Sequence, residues 1–128
     1  MNTSGSMLEK ELTDRLQNFR HTEENTSEST VVFDKNYHGF DGHFENNPVV
    51  PGICLFQWVR VHAQKHLQRE VTLTAISQCR FRKPLLVNAE GLCRAKILLE
   101  NEEQYSIQAD IISQNEIACR IKAKVSLR

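Results

Sequence analysis

Gly42-His43-Phe44-Glu45-Asn46-Asn47-Pro48-Val49-Val50-Pro51-Gly52 closes the least regular part of the chain, Tyr37 to Pro51. Gly39, Gly42, Pro48 and Pro51 break any periodic pattern there, and functional residues favour such loops. The next segment is regular. Ile53, Leu55, Phe56, Val59, Ala63 and Leu67 give Gly52 to Glu70 the apolar face of a long helix,. Pro51 sets its start, since proline is tolerated in a first turn. Cys54, Phe56 and Trp58 in the first two turns indicate a largely buried N-terminal half.

Upstream of the loop, Thr30 to Asn36 is a β-branched run and reads as a strand,. His21 to Ser29 is polar and reads as a loop. Leu8, Leu12, Leu16 and Phe19 recur at helical spacing, predicting an amphipathic helix over roughly residues 7 to 20,. Residues 1 to 6 are set aside as a terminal tail.

Downstream the pattern changes period. Leu73 to Leu86 reads as a strand ending near Pro84. Cys93, Ala95, Ile97 and Leu99 alternate, as do Tyr105, Ile107, Ala109 and Ile111. Ile117, Cys119, Ile121, Ala123, Val125 and Leu127 do the same. Period two means one buried face per strand, and turn signals at residues 101–104 and 114–115 make hairpins between them. The expected architecture is α+β: one sheet wrapped around one helix. The expected division is a tail and helix over 1–27, then a domain over 28–128.

Lys plus Arg is 16 and Asp plus Glu is 16, so no basic excess points to nucleic acid. No apolar stretch nears the roughly 18 residues a membrane helix needs, and no secretory leader is expected. Cys54, Cys79, Cys93 and Cys119 lie in apolar pattern with no CxxC pair, and read as reduced, buried thiols of a cytoplasmic protein,.

Gly42 to Gly52 resembles the GHFPxxPxxPG signature of the 3-hydroxyacyl-[acyl-carrier-protein] dehydratases, and Arg80-Phe81-Arg82-Lys83-Pro84-Leu85 resembles their KFRKPV segment. The match is nearest to the dehydratase-like branch of aryl-polyene pathways, with Trp58 following the PG pair. The resemblance covers roughly residues 28 to 128. It implies a hotdog fold, a homodimer or an oligomer built from dimers, and an acyl chain between protomers. It implies that His43 is the base and that the Gly52 N–H binds the thioester carbonyl. It implies a thioester on acyl carrier protein or coenzyme A, within fatty acid or polyketide-type metabolism, and no cofactor or metal.

Elementary chemistry runs parallel. A neutral imidazole, pKa ~6.5, suits removal of a weakly acidic C2 proton. A helix N-terminus offers unpaired N–H groups to a developing enolate, and glycine allows close approach. Phe44, Pro51, Phe56 and Trp58 are candidates for the acyl-binding wall.

One position departs from the resemblance. Fourteen residues after the histidine, the dehydratases carry a carboxylate that helps protonate the leaving hydroxyl; here it is Gln57. An amide donates hydrogen bonds but delivers no proton at neutral pH. A lost general acid costs ~10²–10⁴-fold. Asp41 or Glu45 could supply the proton, Gln57 could instead position a water for thioester hydrolysis, or the chain could only bind acyl groups. Glu at position 57 would restore the acid if the pocket kept it protonated. His62 and His66 are four apart, too few for a metal site, and read as solvated helix residues. Arg80, Arg82 and Lys83, with Arg60 and Lys65, are candidates for a surface that meets an acidic carrier.

Overall fold

The structure, a computed structural model, describes residues 3–37 and 49–128, with side chains from Glu9 onward. Helix α1 (Thr3–Arg15) leads into strands β1 (Gln17–Glu23) and β2 (Thr26–Val32). Helix α2 (Gly52–Leu67) comes next, then β3 (Val71–Phe81), β4 (Glu90–Leu99), β5 (Gln104–Ser113) and β6 (Glu116–Leu127). The six strands form one sheet in the order β1-β2-β4-β5-β6-β3, with every neighbouring pair antiparallel. This is the expected α+β hotdog arrangement: a long helix wrapped by a sheet.

The alternating strands set the buried face. Cys93, Ala95 and Ile97 of β4, Ile107, Ala109 and Ile111 of β5, and Cys119, Ile121, Ala123 and Val125 of β6 all point into the core. Leu99, expected on that face, is instead exposed at the end of β4. Against them lie Cys54, Leu55, Trp58, Val59, Val61, His62 and Ala63 of α2. Gln114 and Asn115 take the β5–β6 turn at φ 54° and 63°, the left-handed pair that matches hairpin twist. Near that turn Ile111 pairs with Cys119 and Ile112 with Ile117, leaving Ala118 as a bulge,.

Three expectations need correction. The first helix ends at Arg15, not near residue 20, and Phe19 belongs to β1. Residues 21–29 are not a loop: they hold the end of β1, a tight turn and the start of β2. The β2 strand lies earlier than expected, ending at Val32. The misreadings share a cause: neither strand shows apolar alternation. Edge strand β1 is exposed at every residue but Phe19, so it lacks alternation. In β2 the residues that turn inward, Ser27 and Ser29, are polar, and Glu28 between them is buried as well.

Candidate functional site

The two segments that carry the dehydratase resemblance meet in space. Val50 N–H donates to Leu85 O at 2.8 Å, and Val49 bridges Leu86. The chain entering α2 therefore runs antiparallel to the segment after Pro84. The turn before that segment is pinned separately: Arg82 and Lys83 N–H both donate to Ala118 O, at 2.8 and 3.2 Å. The bulge in β6 thus holds one wall of the site.

Between the two segments lies a cleft of about 400 Å³, lined by Val49–Gly52 and Leu55 on one side and Phe81–Leu85 on the other. Its walls are mainly apolar, with Arg82 and Lys83 at the rim. Lys83 pairs with Glu116 at 2.8 Å, while Arg80 and Arg82 are exposed. At Gly52 an added Cβ would stand 2.9 Å from the ring tip of Phe81. The absent side chain is what opens this end of α2.

Pro51 caps the helix in extended geometry, φ −62° and ψ 147°, with no side-chain cap bond and no acidic residue in the first turn. The first N–H groups of an α-helix have no intrahelical acceptor. Here Pro51 and Gly52 at the helix start line a cleft of ligand size, an arrangement able to hold a carbonyl oxygen on which charge develops.

Gln57 lies further along α2. Its Oε1 accepts from Arg60 Nε at 3.3 Å and Nη2 at 3.2 Å. Arg60 also reaches Glu9 of α1 at 2.9 Å, so it belongs to an internal network and not to a basic surface. Phe56 packs half-buried against the core. Trp58 is wholly buried, its ring against Gly91 and its Nε1 donating to Ser29 Oγ at 3.0 Å. Pro51 and Gly52 line the cleft. His43, Phe44, Asp41 and Glu45 lie outside the described residues.

Sequence reasoning missed a polar cluster under β1 and β2. His62 is 1% exposed, not solvated. Ser29 Oγ meets His62 Nδ1 at 2.7 Å, and His62 Nε2 meets Ser27 Oγ at 2.8 Å. Ser27 Oγ also meets His66 Nδ1 at 2.6 Å, and His66 tilts against His21 at 4.5 Å. Indole N–H only donates, so Trp58 donates to Ser29; the remaining directions follow the histidine tautomers, and one consistent run is Ser29 to His62, His62 to Ser27, Ser27 to His66. Burial first, and then His66 and His21, push His62 down to about 3. Burial and His21 lower His66 as well. The signal was in the spacing: Trp58, His62 and His66 share one helical stripe, and Ser27 and Ser29 one strand face.

All four cysteines are free, and all but Cys79 are buried. Burial raises Cys54 to about 11 and Cys119 to about 12, leaving neither a ready nucleophile. Among the described residues no helix is long and apolar enough to cross a membrane.

The fold and the cleft define a hotdog protein of the dehydratase and thioesterase class. A family model described as ApeI-like, ApeI dehydratase, matches residues 19–120, and the chain belongs to that family. Among solved structures, a chain of the dehydratase heterocomplex ApeI:P from Xenorhabdus doucetiae is 21% identical, with TM-score 0.68 over 87% of this chain and 96% of that one. The Escherichia coli PaaI protein from the phenylacetic acid degradation operon is 12% identical, TM-score 0.68, over 97% and 90%. A hypothetical thioesterase with coenzyme A from Streptococcus pneumoniae is 8% identical, TM-score 0.67, over 96% and 95%. These likenesses bear on the fold. No curated protein sequence matches the chain.

Proposed function

We propose that the protein dehydrates a 3-hydroxyacyl thioester carried on acyl carrier protein or coenzyme A, in the cytoplasm, within fatty acid or polyketide-type metabolism. The observation that carries this reading is the bond between Val50 and Leu85, which joins the two resembling segments at an uncapped helix start. The acyl chain takes the apolar cleft, and the thioester carbonyl accepts from the Gly52 N–H. His43, nine residues before α2 in sequence, removes the C2 proton, and the developing enolate is held at the helix start. The C3–O bond then breaks. The same imidazolium returns its proton to the departing hydroxide, giving water and an unsaturated thioester. Gln57 orients the hydroxyl without protonating it. Exposed Arg80 and Arg82 suit an acidic carrier. The working form is a dimer or a complex with a second hotdog chain.

The test is incubation with 3-hydroxyacyl thioesters, followed by mass spectrometry for loss of one water. His43→Ala should abolish turnover. Gln57→Ala should cost far less, since a neutral hydrogen bond contributes about 0.5–1.5 kcal/mol. Unchanged turnover in His43→Ala would remove His43 as the base. A second reading is favoured by Gln57 itself: an acyl-binding subunit that works beside a catalytic partner. Binding of acyl thioesters without any turnover would select it, and release of free acid would select a thioesterase.

A further inference from the structure

Gln57 is held by one neighbour in a way that fixes what its amide can do. Arg60 directs two N–H donors, Nε and Nη2, onto Gln57 Oε1 at 3.3 and 3.2 Å. A guanidinium has donors and no acceptor. Turning the amide over would therefore face its NH₂ against N–H groups, so the oxygen must lie at Arg60 and Nε2 must be the outer end. Among the described residues Nε2 meets no hydrogen-bond acceptor, which leaves both its hydrogens for a ligand or solvent.

Arg60 is itself braced. Its Nη1 donates to Glu9 Oε1 at 2.9 Å and to Gln64 Oε1 at 3.3 Å. Gln64 Nε2 donates to the same Glu9 oxygen at 2.8 Å, and Gln64 Oε1 accepts from Val71 N–H at 3.1 Å. Helix α1 and the start of β3 thus fix the guanidinium, whose side chain is 14% exposed. Among the described residues the charged groups in this network are Arg60 on α2, Glu9 on α1 and, acting on Glu9, Arg128.

We propose that Arg60 is a positioning residue: it sets Gln57 as a one-way hydrogen-bond donor toward the substrate hydroxyl, and it would hold any carboxylate at position 57 ionised. The substrate half of this rests on the proposed function. The charge half rests on the guanidinium alone. An arginine forked onto a carboxylate favours its charged form, and an ionised carboxylate has no proton to give. The expectation from sequence that Gln57→Glu restores a general acid is therefore reversed.

The experiment compares Gln57→Glu in two backgrounds, Arg60 and Arg60→Met, the methionine keeping the apolar stem and removing the cation. Carboxyl-¹³C NMR of labelled glutamate reads the charge directly. Beside Arg60 the new carboxyl should titrate roughly 1–3 pH units below the ordinary ~4.3. Beside methionine it should return to that value or rise above it. If Arg60→Met does not fold, Arg60→Lys keeps the cation but loses the fork and should give an intermediate midpoint. Equal midpoints in the compared backgrounds overturn the proposal. Turnover of a 3-hydroxyacyl thioester supplies the second readout: Gln57→Glu alone should not exceed wild type, and adding Arg60→Met should raise it about tenfold or more. A moved midpoint with no rise in a turning-over enzyme overturns the positioning role. A moved midpoint with no dehydration by any protein, wild type included, leaves the grip of Arg60 standing and removes the dehydratase reading instead.

Discussion

At its first turn α2 presents a start without a side-chain cap, a glycine and a cleft; two turns later the same helix presents His62 with both ring nitrogens bonded inside the core. The early part is open because groups are missing: no side-chain cap, no Cβ at Gly52. The later part is closed because polar partners are present in matched number, Ser29 and Ser27 serving Trp58, His62 and His66. Unsatisfied donors next to a cleft are available to a ligand, whereas the same donors in the core would cost folding energy. One helix thus separates binding from anchoring along its length, and the contrast can be broken from either side.

Ser29→Ala should have the largest effect on stability. It strands Trp58 Nε1 and His62 Nδ1 in the core at once. Each unsatisfied buried group costs about 1–3 kcal/mol, so urea unfolding at neutral pH should show a loss of roughly 2–6 kcal/mol. A loss below about 0.5 kcal/mol would mean that the polar chain does not anchor the helix.

Acid should act on the same end. His62 titrates near 3 in the folded protein and near ~6.5 when unfolded. The unfolded chain therefore binds the proton first. The stability from burying a neutral His62 is complete above ~6.5 and is lost as pH falls toward about 3,. In that window the slope should approach 1.4 kcal/mol per pH unit for this group, read as a falling unfolding midpoint. His62→Gln should flatten the slope.

Gly91→Ala sharpens the comparison from the sheet side. The added methyl would stand 3.2 Å from the Trp58 ring, and both residues are buried. Overpacking of this kind costs about 1–3 kcal/mol, measurable as a lowered unfolding midpoint. The smallest change in stability should come at the open end. In Gly52→Ala the new methyl meets only the tip of Phe81, a ring that is 57% exposed and free to swing. Stability should stay within about 0.5 kcal/mol of wild type, while affinity for acyl-thioester analogues drops as the cleft narrows. Native mass spectrometry would separate the two effects.

The elements legible in the sequence were those whose burial follows chain periodicity. Ile107, Ala109 and Ile111 announce β5, and Pro51-Gly52 marks the start of α2 to the residue. β1 was illegible because Phe19 continues the spacing of Leu12 and Leu16, although it packs on His62 with ring centroids 5.3 Å apart. Ser27-Glu28-Ser29 look like a loop because two of their partners, His62 and Arg94, are distant in sequence. At the site, Gly52 and the cleft segments could be read as motifs. The hold of Glu9 on Arg60 spans 51 residues, and no local pattern encodes a contact of that range.

The sheet order also sets the timetable of assembly. β3 is made before β4, β5 and β6, yet it docks outside β6, the last strand to emerge. Synthesis is vectorial, and hairpins between consecutive strands close fast because their loops are short. The β4–β5–β6 meander can zip as it appears, whereas β3 waits for residues 116–127. The Phe81–Leu85 wall of the cleft, whose turn is pinned by Arg82 and Lys83 N–H on Ala118 O, is therefore completed only when the final strand is available.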